Sequence, residues 1–145
     1  MYPKNFILSP SPSLTIAYIN ICGQTGLNHA KQSQLECFIR IYKPDILHLQ
    51  EINVTSETFE TCDLINSNYN VLSNNALNKY GTASLVSSEL EISNIKMDTE
   101  GRVIVFDVND ITFGNVYFPC GNDKVMKRKR ENYAAEILPQ LLINA

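Results

Sequence analysis

Asn20 and Glu51 each close a strand-like run, Leu14-Thr15-Ile16-Ala17-Tyr18-Ile19-Asn20-Ile21 and Asp45-Ile46-Leu47-His48-Leu49-Gln50-Glu51. A carboxamide and a carboxylate at adjacent strand ends offer oxygen donors to one hard divalent cation, Mg²⁺ or Mn²⁺. Later in the chain come Gly101-Arg102, then Asn115-Val116-Tyr117-Phe118-Pro119-Cys120-Gly121, then a basic run of Lys124, Lys127, Arg128, Lys129 and Arg130. A bound cation that polarises a phosphoryl oxygen, with side chains that orient the phosphate, is the chemistry of phosphodiester hydrolysis. Each residue also has a plain structural reading. Glu51 could open a surface loop, Asn20 could form a turn, and Arg102 could be a charge at a strand edge. Tyr117 could be a core aromatic with a satisfied hydroxyl. The basic run is either a solvated helix face or a phosphate contact. Cations sit poorly near a helix N-terminus, and the run follows the Tyr117 segment, which favours the second reading.

The elements that must position these residues are legible from periodicity. Leu35, Phe38, Ile39 and Tyr42 repeat as one buried helical stripe that Lys43-Pro44 ends, with Asn28 as its cap. The second strand begins at once, so strand, helix and strand form an α/β unit. Phe59, Cys62 and Leu64-Ile65 predict one short helix, and Tyr69 to Leu72 a short strand. Gly81 to Val86 and Glu91 to Met97 follow as strands, separated from what precedes by the loop Asn74-Asn75-Ala76-Leu77-Asn78. Asn109-Asp110 between two alternating apolar runs is a hairpin signal. Hairpins behind a strand–helix–strand unit predict a mixed sheet. Ala134, Ile137, Leu138, Leu141 and Leu142 predict a final helix, capped by Asn122 and kinked or ended near Leu138 by Pro139.

Composition narrows the classes. The chain has 145 residues, one domain's worth, and a net charge of −3, so only the basic run offers an electrostatic footprint for nucleic acid. Its four cysteines form no CxxC pair, which argues against a structural zinc site or a disulfide scaffold and for free thiols. No apolar run approaches the roughly 18 residues of a membrane span. Residues 1–13 read as a flexible lead-in, with the fold over 14–145.

Five segments in order resemble the endonuclease/exonuclease/phosphatase superfamily: Asn20-Ile21-Cys22-Gly23, the run ending Gln50-Glu51, Tyr80-Gly81-Thr82-Ala83, Gly101-Arg102 and the Tyr117 segment. The nearest branch looks like the apurinic-type endonuclease domain of LINE-type (non-LTR) retrotransposons. The resemblance implies a DNase I-like four-layer α/β/β/α sandwich with mixed sheets and an active site at one rim. It implies that Glu51 binds Mg²⁺ or Mn²⁺, that Asn20 helps place the metal, that Gln50 supports Glu51 from behind, and that Tyr117 sits beside the scissile phosphate. Arg102 is expected near the DNA cleft, with Lys124, Lys127 and Arg128 as backbone contacts.

The family pattern continues with a Gly-Asp-x-Asn strand and a Ser/Thr-Asp-His, which these residues do not contain, and His29 and His48 lack the catalytic context. The expectation is therefore a partial, C-terminally incomplete domain that nicks DNA only in its intact relative. That relative would carry a downstream reverse transcriptase domain, with no membrane association and an intracellular, nuclear location. Half a sandwich also predicts an uncovered sheet face and self-association. Two other readings stay open, a non-catalytic remnant that binds DNA or a protein, and a related phosphodiesterase or phosphatase acting on lipid or inositol phosphates.

Overall fold

A computed structural model describes residues 13–21, 27–53, 57–75 and 81–143. Most of the expected N-terminal lead-in, the glycine-bearing loop after Ile21 with Cys22, and most of the Asn-rich loop with Tyr80 lie outside them. Two sheets carry the fold. The first contains β1 (Ile16–Asn20), β2 (Ile46–Gln50), β3 (Tyr69–Asn74) and β4 (Thr82–Ser87) in the order β1-β2-β4-β3. The second contains β5 (Ile92–Met97), β6 (Val103–Val108) and β7 (Ile111–Val116) in sequence order. β1 and β2 pair in parallel and every other pair is antiparallel, so the sheet is mixed as expected.

The parallel pair is joined by α1 (His29–Tyr42), whose first turn is capped by Asn28 accepting from the Lys31 N–H at 3.0 Å. Lys43, left-handed at φ 43°, ends it by donating its N–H to the Ile39 carbonyl, and Pro44 forbids continuation. Where one helix is expected around Phe59 and Ile65, there are two short ones, α2 (Glu57–Glu60) and α3 (Asp63–Asn68). The Cys62 N–H turns back to the Phe59 carbonyl at 3.1 Å, which breaks the helical run there. The β6–β7 hairpin turns on Asn109 and Asp110, both at positive φ (50° and 64°), the backbone that a two-residue hairpin matching strand twist demands.

Three clusters define four layers. Leu35, Ile39, Phe59 and Ile65 pack the first helices onto one face of the first sheet, against Leu47, Leu49 and Leu85. Ile46 and Val86 from its other face meet Ile104, Phe106 and Phe113 of the second sheet. Tyr133, Ile137, Leu138 and Leu141 cover the far face of the second sheet at Val103 and Val105. The architecture is thus α/β/β/α. Along each strand the period of two sends alternate residues to opposite faces, and both faces of β2, β4 and β6 are buried.

The last helical stretch corrects two expectations. Asp123, rather than Asn122, caps α4 (Lys124–Asn132), accepting from the Met126 N–H at 2.9 Å. Pro139 does not end the helix near Leu138. A π-helical turn over Tyr133–Ile137 precedes α5 (Leu138–Ile143), with the Leu138 N–H reaching the Tyr133 carbonyl. Widening the turn ahead of a proline makes room for its ring and its missing donor. Tyr18 lies on the inter-sheet face of β1 beside His48 yet remains 61% exposed, so this part of the face is uncovered.

His48 is fully buried between the Tyr18 and Phe106 rings, with Nδ1 2.8 Å from Ser84 Oγ and Nε2 without a hydrogen-bond partner. Burial lowers its pKa from 6.5 to about 4. The folded chain therefore keeps His48 neutral where the unfolded chain takes up a proton. Stability is full above pH 6.5 and falls as the pH drops from 6.5 to about 4, by about 3 kcal/mol in all. His48→Phe removes this share, so denaturant unfolding of the variant shows a flatter loss of stability across that window than the parent does.

Candidate active site at the sheet rim

The residues expected at the site converge where the C-terminal ends of β1 and β2 meet the chain leaving β7. Asn20 is the in-register partner of Gln50, which leaves Glu51 one residue past the end of the parallel pair. Asn20 Nδ2 donates to Glu51 Oε1 at 3.1 Å. The Ile21 N–H continues the ladder to the Gln50 carbonyl at 2.9 Å. Lys31 Nζ from α1 donates to the Ile21 carbonyl at 2.5 Å, which ties the helix to this strand end.

Glu51 stands at φ 54° and Asn53 at φ 45°, the left-handed region. Asn enters that region readily, whereas for Glu it is uncommon and costs about 1 kcal/mol. Between them Ile52 is fully buried, donates its N–H to the Gly81 carbonyl at 3.2 Å and accepts from the Leu27 N–H at 3.0 Å. Burying Ile52 in a loop this tight forces Glu51 into its strained backbone and aims its carboxylate at the rim. Gly81 is required by close approach, since a Cβ there would stand 3.2 Å from Ile52 Cγ1 and 2.5 Å from Asn75 Oδ1. This is a physical reason for the Gly81-Thr82-Ala83 part of the motif.

Tyr117 reaches the rim from the second sheet. Its hydroxyl lies 3.6 Å from Cys120 Sγ. Burial, then hydrogen bonding to Cys120 and to Glu51, then the negative charge of Glu51, hold the phenol well above its ordinary range, so it stays protonated and can donate. Arg102 is 9% exposed rather than open to solvent. Its guanidinium lies 5.5 Å from the centre of the Tyr117 ring, donates to the Tyr117 carbonyl at 3.4 Å and meets Glu100 at 3.3 Å. The Tyr117 N–H returns to the Arg102 carbonyl at 2.8 Å. In this arrangement Arg102 braces Tyr117.

The basic run divides. Lys129 pairs with Glu100 at 2.8 Å, and Arg130 donates to the carbonyls of Pro119 and Gly121 at 3.0 and 2.7 Å. These two fasten α4 to the Tyr117 loop. Lys124, Lys127 and Arg128 are exposed on the same helix.

The sequence reading missed Asp98. Its Oδ1 accepts from Arg102 N, Val103 N and Asn74 Nδ2, each at 2.9 Å, and its Oδ2 from the Tyr133 hydroxyl at 2.8 Å. It thereby joins both sheets and the last helix behind Arg102. Asp98-Thr99-Glu100-Gly101 is legible in sequence only as a turn; two of these four donors, Asn74 Nδ2 and the Tyr133 hydroxyl, come from distant segments.

Asn20 and Glu51 fit a hard cation of the Mg²⁺ type, which takes one or two protein oxygens and keeps waters and substrate phosphates as its other ligands. Among the described residues no three His, Cys, Asp or Glu side chains cluster as a closed metal site. A cleft of about 400 Å³, lined by Ile39, Pro44, Tyr69 and Ser87, lies at the opposite end of β2.

Proteins similar to this chain in sequence or in fold include nucleases and a phosphatase. Exodeoxyribonuclease III of Haemophilus influenzae is 30% identical over 120 residues, covering 74% of this chain and 45% of that protein. An AP endonuclease from Archaeoglobus fulgidus superposes with a TM-score of 0.70 at 21% identity, over 90% of this chain and 51% of that one. A 3′ phosphatase from Neisseria, bound to a product DNA hairpin, gives 0.67 at 22% identity with the same two coverages. These relatives are of the endonuclease/exonuclease/phosphatase superfamily, and this chain shares their fold. No protein-family model matches the chain. The chain spans about half the length of the superfamily relatives it matches. The expected DNase I-like α/β/β/α fold is present, and the described cysteines Cys37, Cys62 and Cys120 are free thiols.

The strain at Glu51 is measurable. Glu51→Gly and Glu51→Ala remove the same carboxylate, but only glycine relieves a positive φ, so the glycine variant is expected to be more stable by about 1 kcal/mol. Paired urea melts check this order, which is the reverse of that found for the same pair of residues within a helix.

Proposed function

We propose that this chain is the part of a divalent-metal-dependent DNA endonuclease domain that holds metal and phosphate, of the kind found in LINE-type retrotransposons. The observation that carries the reading is the meeting of Asn20 and Glu51 from one sheet with Tyr117 from the other at a single rim. Glu51 and Asn20 would hold Mg²⁺ or Mn²⁺, which supplies charge stabilisation at a phosphoryl oxygen when bound. The protonated Tyr117 hydroxyl donates toward the phosphate, and Arg102 fixes the ring from behind. Gln50, one residue before Glu51, keeps the carboxylate's backbone in place. Lys124, Lys127 and Arg128 take up neighbouring phosphates along the strand, a contact that carries no sequence information.

In this reading nicking belongs to an intact enzyme in the nucleus, and the chain alone binds DNA without cutting it. His48, one of its two histidines, is sealed in the core beside Ser84 and is no base for activating water. The retroelement part of the reading rests on the motif order Asn20, Gln50-Glu51, Gly101-Arg102 and Tyr117-Phe118-Pro119. A reverse transcriptase frame adjoining this one in genomic DNA supports it, and a frame with no polymerase beside it removes it.

Binding is tested by fluorescence anisotropy with a labelled duplex. Affinity is expected to fall steeply between low and physiological salt. Replacing Lys124, Lys127 and Arg128 together by Ala should flatten the log–log salt slope by about 1 for each phosphate no longer neutralised. No binding at low salt overturns the DNA assignment. Nicking of supercoiled plasmid by the pure chain with Mg²⁺ overturns the claim that it does not cut alone.

A further inference from the structure

Asn115 is fully buried at the seam between the sheets, two residues before Tyr117. Its Nδ2 donates to the carbonyls of Leu49 at 3.1 Å and Ala83 at 2.9 Å, which are in-register partners on β2 and β4, and to Ser84 Oγ at 3.3 Å. With the amide nitrogen held by two carbonyls, the amide oxygen must turn the other way. There it accepts from Gln50 Nε2 at 3.3 Å. Gln50 Nε2 also donates to the Val116 carbonyl at 2.8 Å. Residues 49 and 50 of the first sheet are thus bonded to residues 115 and 116 of the second, immediately before Glu51 and Tyr117.

Apolar contacts between sheets are not directional and tolerate small slides. Hydrogen bonds to buried carbonyls do not, because a displaced amide would leave several polar groups unpaired at about 1–3 kcal/mol each. We infer that Asn115, acting through Gln50, is a positioning residue that fixes the offset between the sheets and so sets Glu51 opposite Tyr117. This rests on the proposed function for its importance to metal and phosphate, but the geometric claim stands apart from it. Losing such support behind a metal ligand typically weakens metal affinity by about 10–100-fold.

Asn115→Leu is the direct variant, but it strands two buried carbonyls and so puts folding itself at risk. Gln50→Met is therefore the working variant, since Gln50 is half-buried and Met keeps its length while removing the donor. Phe113→Leu serves as a control that loosens the inter-sheet core without touching the tie. Two measurements are made on the 145-residue chain: calorimetric titration with Mn²⁺, and nuclear Overhauser contact between the Tyr117 ring and the Glu51 side chain without metal. Gln50→Met is expected to weaken Mn²⁺ binding about tenfold and to abolish the Tyr117–Glu51 contact, whereas Phe113→Leu lowers the melting temperature and keeps both. Where Asn115→Leu folds, combining it with Gln50→Met should add no further loss. The inference is overturned if Gln50→Met keeps the ring contact, or if Phe113→Leu abolishes it equally. If the parent chain binds no Mn²⁺, the metal reading fails, and the ring contact alone decides the role of Asn115.

Discussion

Two β-sheets lie face to face, and everything at the rim depends on how they are held. Ile46 and Val86 on one side and Ile104, Phe106 and Phe113 on the other supply the apolar contact. Such contact favours burial without preferring one offset strongly over its neighbours. The buried amide of Asn115 and the side chain of Gln50 add direction, because each bond has one geometry in which all its partners are satisfied. Glu51 belongs to one sheet and Tyr117 to the other, so the spacing between them is a property of this seam.

A second brace lies behind the Tyr117 side of the rim. Asp98 joins the β5–β6 turn to Asn74 and to Tyr133, and Arg102 emerges from that turn to pack on Tyr117. Glu100 gathers Arg102 and Lys129, so the same turn also anchors α4. Cations that look alike in sequence therefore act differently. Arg102, Lys129 and Arg130 are engaged internally, which leaves Lys124, Lys127 and Arg128 as the solvent-facing charges of the run. The strain at Glu51 has a comparable origin in its surroundings. A left-handed glutamate is tolerated because Ile52 is buried and bonded on both sides.

Much of this fold was legible beforehand. The α1 stripe, the Asn28 cap, the Lys43-Pro44 stop and the Asn109-Asp110 hairpin all express local rules of periodicity, capping and turn chemistry. The misses have different causes. Asp123 competes with Asn122 for one capping position, and either side chain suits it. Pro139 is accommodated by a widened turn because Tyr133, Ile137 and Leu138 before it and Leu141 after it pack on Val103 and Val105 and keep the helix in place on both sides of it. Of the candidate site, motif order singles out Asn20, Gln50, Glu51 and Tyr117, which the fold brings to one rim. The roles of Asp98 and Asn115 could not be read in this way, since nothing near them in sequence marks a polar side chain whose partners include distant segments.

The sequence by itself determined most of the elements and the residue types at the rim, because these follow from backbone propensity and side-chain chemistry within a few positions. Only the tertiary structure decided that Asn20 touches Glu51, that Tyr117 lies beside Glu51, that Arg102 is buried, and that the buried Asn115 and its neighbour Gln50 bond across the two sheets. Those facts depend on contacts between segments 15 to 66 residues apart, where chain entropy separates the partners until the whole core has formed.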